Sequence, residues 1–199
     1  MKSVTTALAL ALAGAISTPA LAQTGQQAQQ EETQRDVNQQ KRIEQGLKSG
    51  ELTTREAGRL EREQNAVDKM EAHAAANGKV SPAEQRRIDA AQTRVSHDIH
   101  AQKHDAQIGN PDSASSRRMQ ADVQRDVLQE KRIRNGVSSG ELTTREAGRL
   151  EHQQARADRM QANAAADGHV GAREQRTIRR TQTRDSRRIR RQKHDAQTR

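Results

Sequence analysis

No cysteine, phenylalanine, tyrosine or tryptophan occurs in these 199 residues, and proline occurs only three times. Without cysteine the chain can form no disulfide, no thiolate metal site and no cysteine nucleophile. Without aromatic side chains, which usually bury the largest areas in cores and interfaces, any core is built from Ile, Leu, Val, Met and Ala. The recognisable catalytic arrangements are missing too. The serines lack a plausible base and orienting acid, and there is neither a Gly-rich phosphate loop nor a zinc-protease HExxH. The expectation is a non-enzymatic protein with no cofactor.

The N-terminus has the three parts of a secretory signal peptide over residues 1–22. Lys2 gives the positive start, an uncharged apolar stretch runs from Val4 to Ile16, and Pro19 precedes the small-x-small triplet Ala20-Leu21-Ala22. Cleavage after Ala22 would leave a mature chain in the periplasm or outside the cell. The apolar stretch is shorter than the roughly 20 residues a spanning helix needs, and no later segment reads as transmembrane. Loss of Lys2 would take the formal charge from +9 to +8.

Residues 35–107 and 125–197 align without a gap, with 45 identities in 73 positions and an unbroken GELTTREAGRLE at 50–61 and 140–151. This is an internal duplication. Residues 23–34 read as a Gln-rich flexible leader and 108–124 as a linker containing Gly109-Asn110-Pro111-Asp112. The predicted fold is all-α: two tandem copies of a helix-loop-helix-loop-helix unit, with coiled-coil-like amphipathic helices.

Helix boundaries follow from local chemistry. Val37, Gln40, Ile43 and Leu47 recur at helical spacing until Gly50, a left-handed stop. Thr53 and Glu56 then form a capping box, in which each side chain satisfies a free backbone amide of the other. The second helix carries Ala57, Leu60, Val67, Met70 and Ala74 on one face and stops near Gly78. Ser81-Pro82-Ala83-Glu84 starts the third, which is expected to bury Ile88, Ala91, Val95 and Ile99. The second copy repeats this frame with Thr143, Glu146 and Gly168, but Asp185 replaces Val95. Each copy has about a dozen large aliphatic residues, too few for a stable core in a domain under about 80 residues. Packing of the copies on each other, homo-oligomerisation or binding of a client would have to supply the missing burial.

Charge is unevenly shared. The first copy holds 13 basic and 12 acidic residues, the second 18 and 10. Much of the excess lies in the last helix, where Arg179, Arg180, Arg184, Arg187, Arg188, Arg190 and Arg191 are candidates for binding an anionic partner: an acidic protein or the anionic envelope surface. Nucleic acid is disfavoured by the expected export and by the lack of stacking aromatics.

Two metal-binding patterns stand beside this. His97, His100 and His104, at i, i+3 and i+7, share one helix face with Asp98 and Asp105 nearby, as zinc, copper or nickel would require. Gly50 to Glu56 and Gly78 to Glu84 resemble the second half of an EF-hand loop, where the closing glutamate binds calcium. The preceding positions hold Gln45, Leu47 and Ser49, then His73, Ala75 and Asn77, which leaves both loops short of the six to eight oxygens calcium takes. Glu56 and Glu84 are therefore read first as helix caps.

Leu52-Thr53-Thr54-Arg55-Glu56 and Leu142-Thr143-Thr144-Arg145-Glu146 resemble the LTxxQ motif of the CpxP/Spy periplasmic proteins, with glutamate in place of glutamine. That family is helical and includes a chaperone and envelope-stress and metal-response proteins, so the resemblance implies client binding on a helical cradle. Arg42–Glu61 and Arg132–Glu151 are similar to exported proteobacterial tandem-repeat helical proteins built around RIxxGxxSGELTxxEAxRLE, a likeness that brings no activity with it. Together these features predict an exported binding protein, chaperone-like or stress-related, that holds unfolded or acidic clients. Divalent-metal binding and polyanion binding are the alternatives.

Overall fold

Glycine stops and helix caps divide the described residues into six long α-helices. The computed structural model describes residues 19–195, with side chains from residue 27 onward. The helices are α1 (Pro19–Ser49), α2 (Thr54–Ala74), α3 (Pro82–Lys103), α4 (Ala114–Ser139), α5 (Thr144–Ala164) and α6 (Ala172–Lys193). A 3₁₀ turn, Ala75–Asn77, extends the end of α2. Among the described residues there is no strand, and no helix is long and apolar enough to cross a membrane.

The stops lie where the sequence places them. Gly50 and Gly140 close α1 and α4 with φ near 80° and 78°, a left-handed conformation that side-chain-bearing residues adopt at a cost. The capping boxes form at Thr53 with Glu56, Ser81 with Glu84, and Thr143 with Glu146.

The two copies interlock. The most extensive helix pairings run between them, α2 against α5 and α1 against α4, while α3 covers α1 and α2 from outside and α6 covers α4 and α5. Both inner pairs are antiparallel. Gln120 of α4 donates to the Leu47 carbonyl near one end of α1, and Arg134 reaches Gln34 towards the other. α2 and α5 approach closely because each offers small residues to the other. A Cβ on Gly58 would fall 2.5 Å from Ala165 Cβ, and one on Gly148 would fall 2.5 Å from Ala75 Cβ. The main apolar cluster accordingly draws on both copies, joining Ile43, Leu47, Leu52 and Leu60 to Met119, Val123, Ala165 and Ile178.

Two segments differ from the expectation. Residues 1–18 of the expected signal peptide lie outside the described residues, but 23–34, read as a flexible leader, continue α1, and Gln29, Glu32 and Thr33 are buried. Residues 114–124 of the expected linker form the first turns of α4, where Ser113 caps the helix and Met119 and Val123 are fully buried. In both cases the inter-copy pairing supplies a packing surface to residues whose own sequence is too polar to demand one. In α3 the expected Ala91 is half-buried, and its neighbour Gln92 faces the interior.

Candidate metal centre

Each inner helix carries an inward stripe with spacings of four and three, and in the middle of each stripe the residues are polar. On α1 the register that buries Ile43 and Leu47 also buries Asp36 and Gln40; on α4 Asp126 and Glu130 precede Ile133 and Val137 in the same way. α2 contributes Glu61, Gln64, Asp68 and Glu71, and α5 contributes Glu151, Gln154, Asp158 and Gln161, all buried. The bundle interior is therefore apolar towards its ends and acidic at its centre.

The carboxylates gather in two trios. Glu61, Asp126 and Asp158 each bring one oxygen within 4.8 Å of the others, and so do Asp68, Glu71 and Glu151. Duplication relates the two: Glu61 corresponds to Glu151, Asp158 to Asp68, and Asp126 to Asp36, which borders the second trio. Each trio combines residues of both copies.

Amides reach in from around them. Gln40 donates to Glu61 Oε2 at 3.1 Å, and Gln182 of α6 donates to Asp126 Oδ1 at 2.8 Å, while Gln161 donates to Oδ2 of the same aspartate. On the other side Gln92 of α3 donates to Asp36 Oδ1 and Glu71 Oε1, both at 2.9 Å. Several oxygens receive no donor: both of Glu151, both of Asp158, Oε1 of Glu61 and Oδ2 of Asp68. A cavity of about 10 Å³ lies among Glu32, Glu71 and Glu151, room for about one water-sized sphere.

Apart from the capping glutamates Glu56 and Glu146, eleven carboxylates are buried, and among the described residues no lysine, arginine or histidine is. Only Asp122 and Asp185 have an ion-pair partner, Arg125 at 3.4 Å and Arg188 at 4.0 Å. Uncompensated buried anions are very costly, so such groups hold a proton or a cation. Burial pushes Glu32 and Glu61 up to about 8, with the charges of Asp36 and Asp126 respectively adding to it. Burial likewise lifts Asp36 and Asp126 to about 7. Asp68, Glu71, Glu151 and Asp158 lie well above the usual carboxylate range, first through burial and then through the charge of neighbouring carboxylates, Asp158 beside Asp68, Asp36 beside Glu71, Glu130 beside Glu151 and Glu61 beside Asp158.

A set of carboxylate oxygens suits hard cations such as calcium, magnesium and manganese rather than zinc or copper. Three carboxylates offer up to six oxygens, the lower limit of the calcium shell. No family model, curated protein or solved structure matches this chain.

The residues singled out in the sequence lie elsewhere. His97 and His100 are exposed on α3 and His104 is exposed at its C-cap. The rings of His100 and His104 sit 4.1 Å apart, with His104 Nδ1 against the His100 carbonyl, while His97 lines a separate groove with Arg42 and Ser96. Among the described residues only the two carboxylate trios bring three ligand-type side chains together. Glu56 spends its carboxylate on the Thr53 amide and hydroxyl, and Glu84 spends its own on the Ser81 amide, both at 2.8 Å from the amide nitrogen. The seven arginines Arg179, Arg180, Arg184, Arg187, Arg188, Arg190 and Arg191 are all exposed. They occupy the outer side of α6, whose inner side buries Ile178, Thr181, Gln182, Asp185 and Ile189.

The sequence reading missed the trios because it scored inward positions by hydrophobicity. The signal that could have found them is the retention of an aspartate or glutamate at 36/126, 61/151 and 68/158, in register with the apolar stripes of both copies.

Proposed function

We propose that this protein is an exported, non-enzymatic binding protein for hard divalent cations, built from a duplicated three-helix unit whose two copies jointly enclose the ion. The observation that carries this reading is the pair of buried carboxylate trios in which Glu61 Oε1, Asp68 Oδ2 and both oxygens of Glu151 and Asp158 lack donors and whose surroundings hold no buried positive charge. An ion there replaces protons that the carboxyls otherwise retain, so binding releases protons and strengthens with pH. It also ties the first copy to the second, which couples binding to folding.

Open client-binding grooves find less support. The apolar faces of the inner helices are turned onto each other between the copies, and Ile108 and Leu128 are the exposed large apolar side chains among the described residues.

The test is a calorimetric titration of the chelator-treated full chain with calcium, magnesium and manganese, paired with thermal melts. At a pH above about 8, where Glu61 ionises, a cation at a hundred times its Kd is expected to add about 2.7 kcal/mol per site. Near pH 5 the effect should vanish. Glu61→Gln combined with Glu151→Gln should remove heat and stabilisation together. Melting that no divalent cation moves at any pH would overturn the reading and leave the trios as proton-holding structural groups.

A further inference from the structure

The duplication provides an internal control for the outer helices, because α3 and α6 occupy equivalent places over α1 and α4. Their buried sides agree except where Asp185 stands for Val95: Ile88, Gln92 and Ile99 correspond to Ile178, Gln182 and Ile189. Their outer sides do not. Asp89, Asp98, His97 and His100 of α3 become Arg179, Arg188, Arg187 and Arg190 of α6. In the first copy Arg35 of α1 pairs with Asp89 at 2.9 Å. Its counterpart Arg125 finds Arg179 at the position equivalent to Asp89, and pairs within its own helix with Asp122 instead. Among the described residues Arg179, Arg180, Arg187, Arg190 and Arg191 form no ion pair. Arg176, Arg180 and Arg184, like Arg187 and Arg191, follow one another at i, i+4, an arrangement that weakens a helix. Fold stability therefore does not account for this surface.

One further change accompanies the charges. The groove between α4 and α6 has Leu128 where the first copy has Asn38, and Leu128 is 53% exposed. Around it stand Arg125, Lys131, Arg132, Arg187 and Arg190, bounding a hollow of about 700 Å³. Thr183 and Arg187 join this hollow to a second, of about 610 Å³, bordered by Arg176, Arg180 and Arg184. The result is a basic strip along a 22-residue helix, about 33 Å long, with an apolar side chain at its edge.

We infer that the α4–α6 face docks this protein onto an anionic phospholipid bilayer, the arginines taking phosphodiester headgroups while Leu128 enters the boundary with the acyl chains. Headgroup phosphates spread in a plane match a straight, open row of guanidinium groups. A single-stranded nucleic acid would call for stacking rings, and the chain has none. This face is remote in kind from the cation trios: it is exposed, basic and confined to the second copy.

The test is co-sedimentation of the full chain with phosphatidylglycerol–phosphatidylcholine vesicles at low salt, with pure phosphatidylcholine vesicles as control. The variants carry residues the fold already accepts in the first copy: Arg179→Asp, Arg187→His and Arg190→His together, and separately Leu128→Asn. At about fivefold in affinity per arginine lost, the triple variant should bind at least about 100-fold more weakly. Leu128→Asn should bind roughly tenfold more weakly, with the melting temperature unchanged in both. Equal binding to neutral vesicles, or variants that bind like the parent, would overturn the inference. So would vesicle binding abolished by an inorganic polyphosphate that holds the parent and Leu128→Asn equally, since the strip would then be a simple polyanion site.

Discussion

Replacing Glu61 with glutamine is expected to stabilise the metal-free protein while destroying half of its cation binding. Glu61 is fully buried, accepts one hydrogen bond from Gln40, faces Asp126 and Asp158, and has one oxygen with no donor. Burial and the Asp126 charge raise it from 4.5 to about 8. A carboxyl raised on folding holds its proton more tightly in the native state. The native protein thus binds more protons than the unfolded chain across this window, and stability falls as pH rises from about 4.5 to 8 before levelling off. At 1.36 kcal/mol per pH unit this one group withdraws about 4 kcal/mol by pH 8. Ordinary domains are stable by about 5–15 kcal/mol, and Glu32, Asp36 and Asp126 titrate in the same range, so the melting temperature of the chelator-treated protein should fall steeply towards mildly alkaline pH. The glutamine keeps the shape and the bond from Gln40 but cannot ionise. Near pH 8 in chelator its melting temperature should exceed the parent's by roughly 10 °C, from about 2–4 °C per kcal/mol in a chain of this size, and near pH 4 the two should coincide. Far-UV circular dichroism is the natural probe, because the chain has no tryptophan or tyrosine. A metal-free stability that is flat or rising across this interval, or a variant that loses stability at alkaline pH, would refute the reasoning.

Two more outcomes test the packing and the caps. Gly58→Ala and Gly148→Ala each push a methyl to 2.5 Å from an alanine of the other copy; each should cost about 1–3 kcal/mol in urea melts as the α2–α5 pair is forced apart. Glu56→Ala and Glu146→Ala each remove one arm of a capping box, at a cost of about 1 kcal/mol. They should leave calcium affinity unchanged by calorimetry, whereas a loop site of the EF-hand kind would lose it.

What could be read from the sequence was chemistry that acts within a few residues. Thr53 with Glu56, Ser81 with Glu84 and the left-handed Gly50 and Gly140 depend only on near neighbours, and they stand where local rules place them. The first turns of α4 and the N-terminal half of α1 depend on residues 50 or more positions away. Ser115 shows this: its hydroxyl takes the Val170 amide at 2.7 Å, a bond that no local pattern announces. The histidines show the reverse error. Spacing put His97, His100 and His104 on one helix face, but a face is convex, and three side chains on it converge only when another element closes over them. Among the described residues nothing closes over α3 there. The carboxylates are enclosed because four helices converge on them, and that convergence arises from small residues, Gly58 against Ala165 and Gly148 against Ala75, which carry no hydrophobic signal of their own.

The composition of the trios bears on why two copies sit in one chain. Glu61 lies in the first copy, but Asp126 and Asp158, which complete its trio, lie in the second; Asp68 and Glu71 lie in the first, but Glu151 lies in the second. A single copy can offer at most two of the three carboxylates, so it can complete a trio only by pairing with another copy. When the pair is a homodimer, both trios must be identical. Joined in one chain, they are free to differ, and they do: the position that places Glu71 at the second trio holds Gln161 at the first, where its amide donates to Asp126 instead of adding a negative charge. The trio with Glu71 also borders Asp36 and therefore concentrates more negative charge, so once ionised it should hold a divalent cation the more tightly of the two. Two unequal binding steps in the calorimetric titration, with Glu71→Gln weakening only the tighter one, is the outcome this asymmetry requires; two equal steps would mean that the surrounding carboxylates keep their protons and contribute no charge to either site.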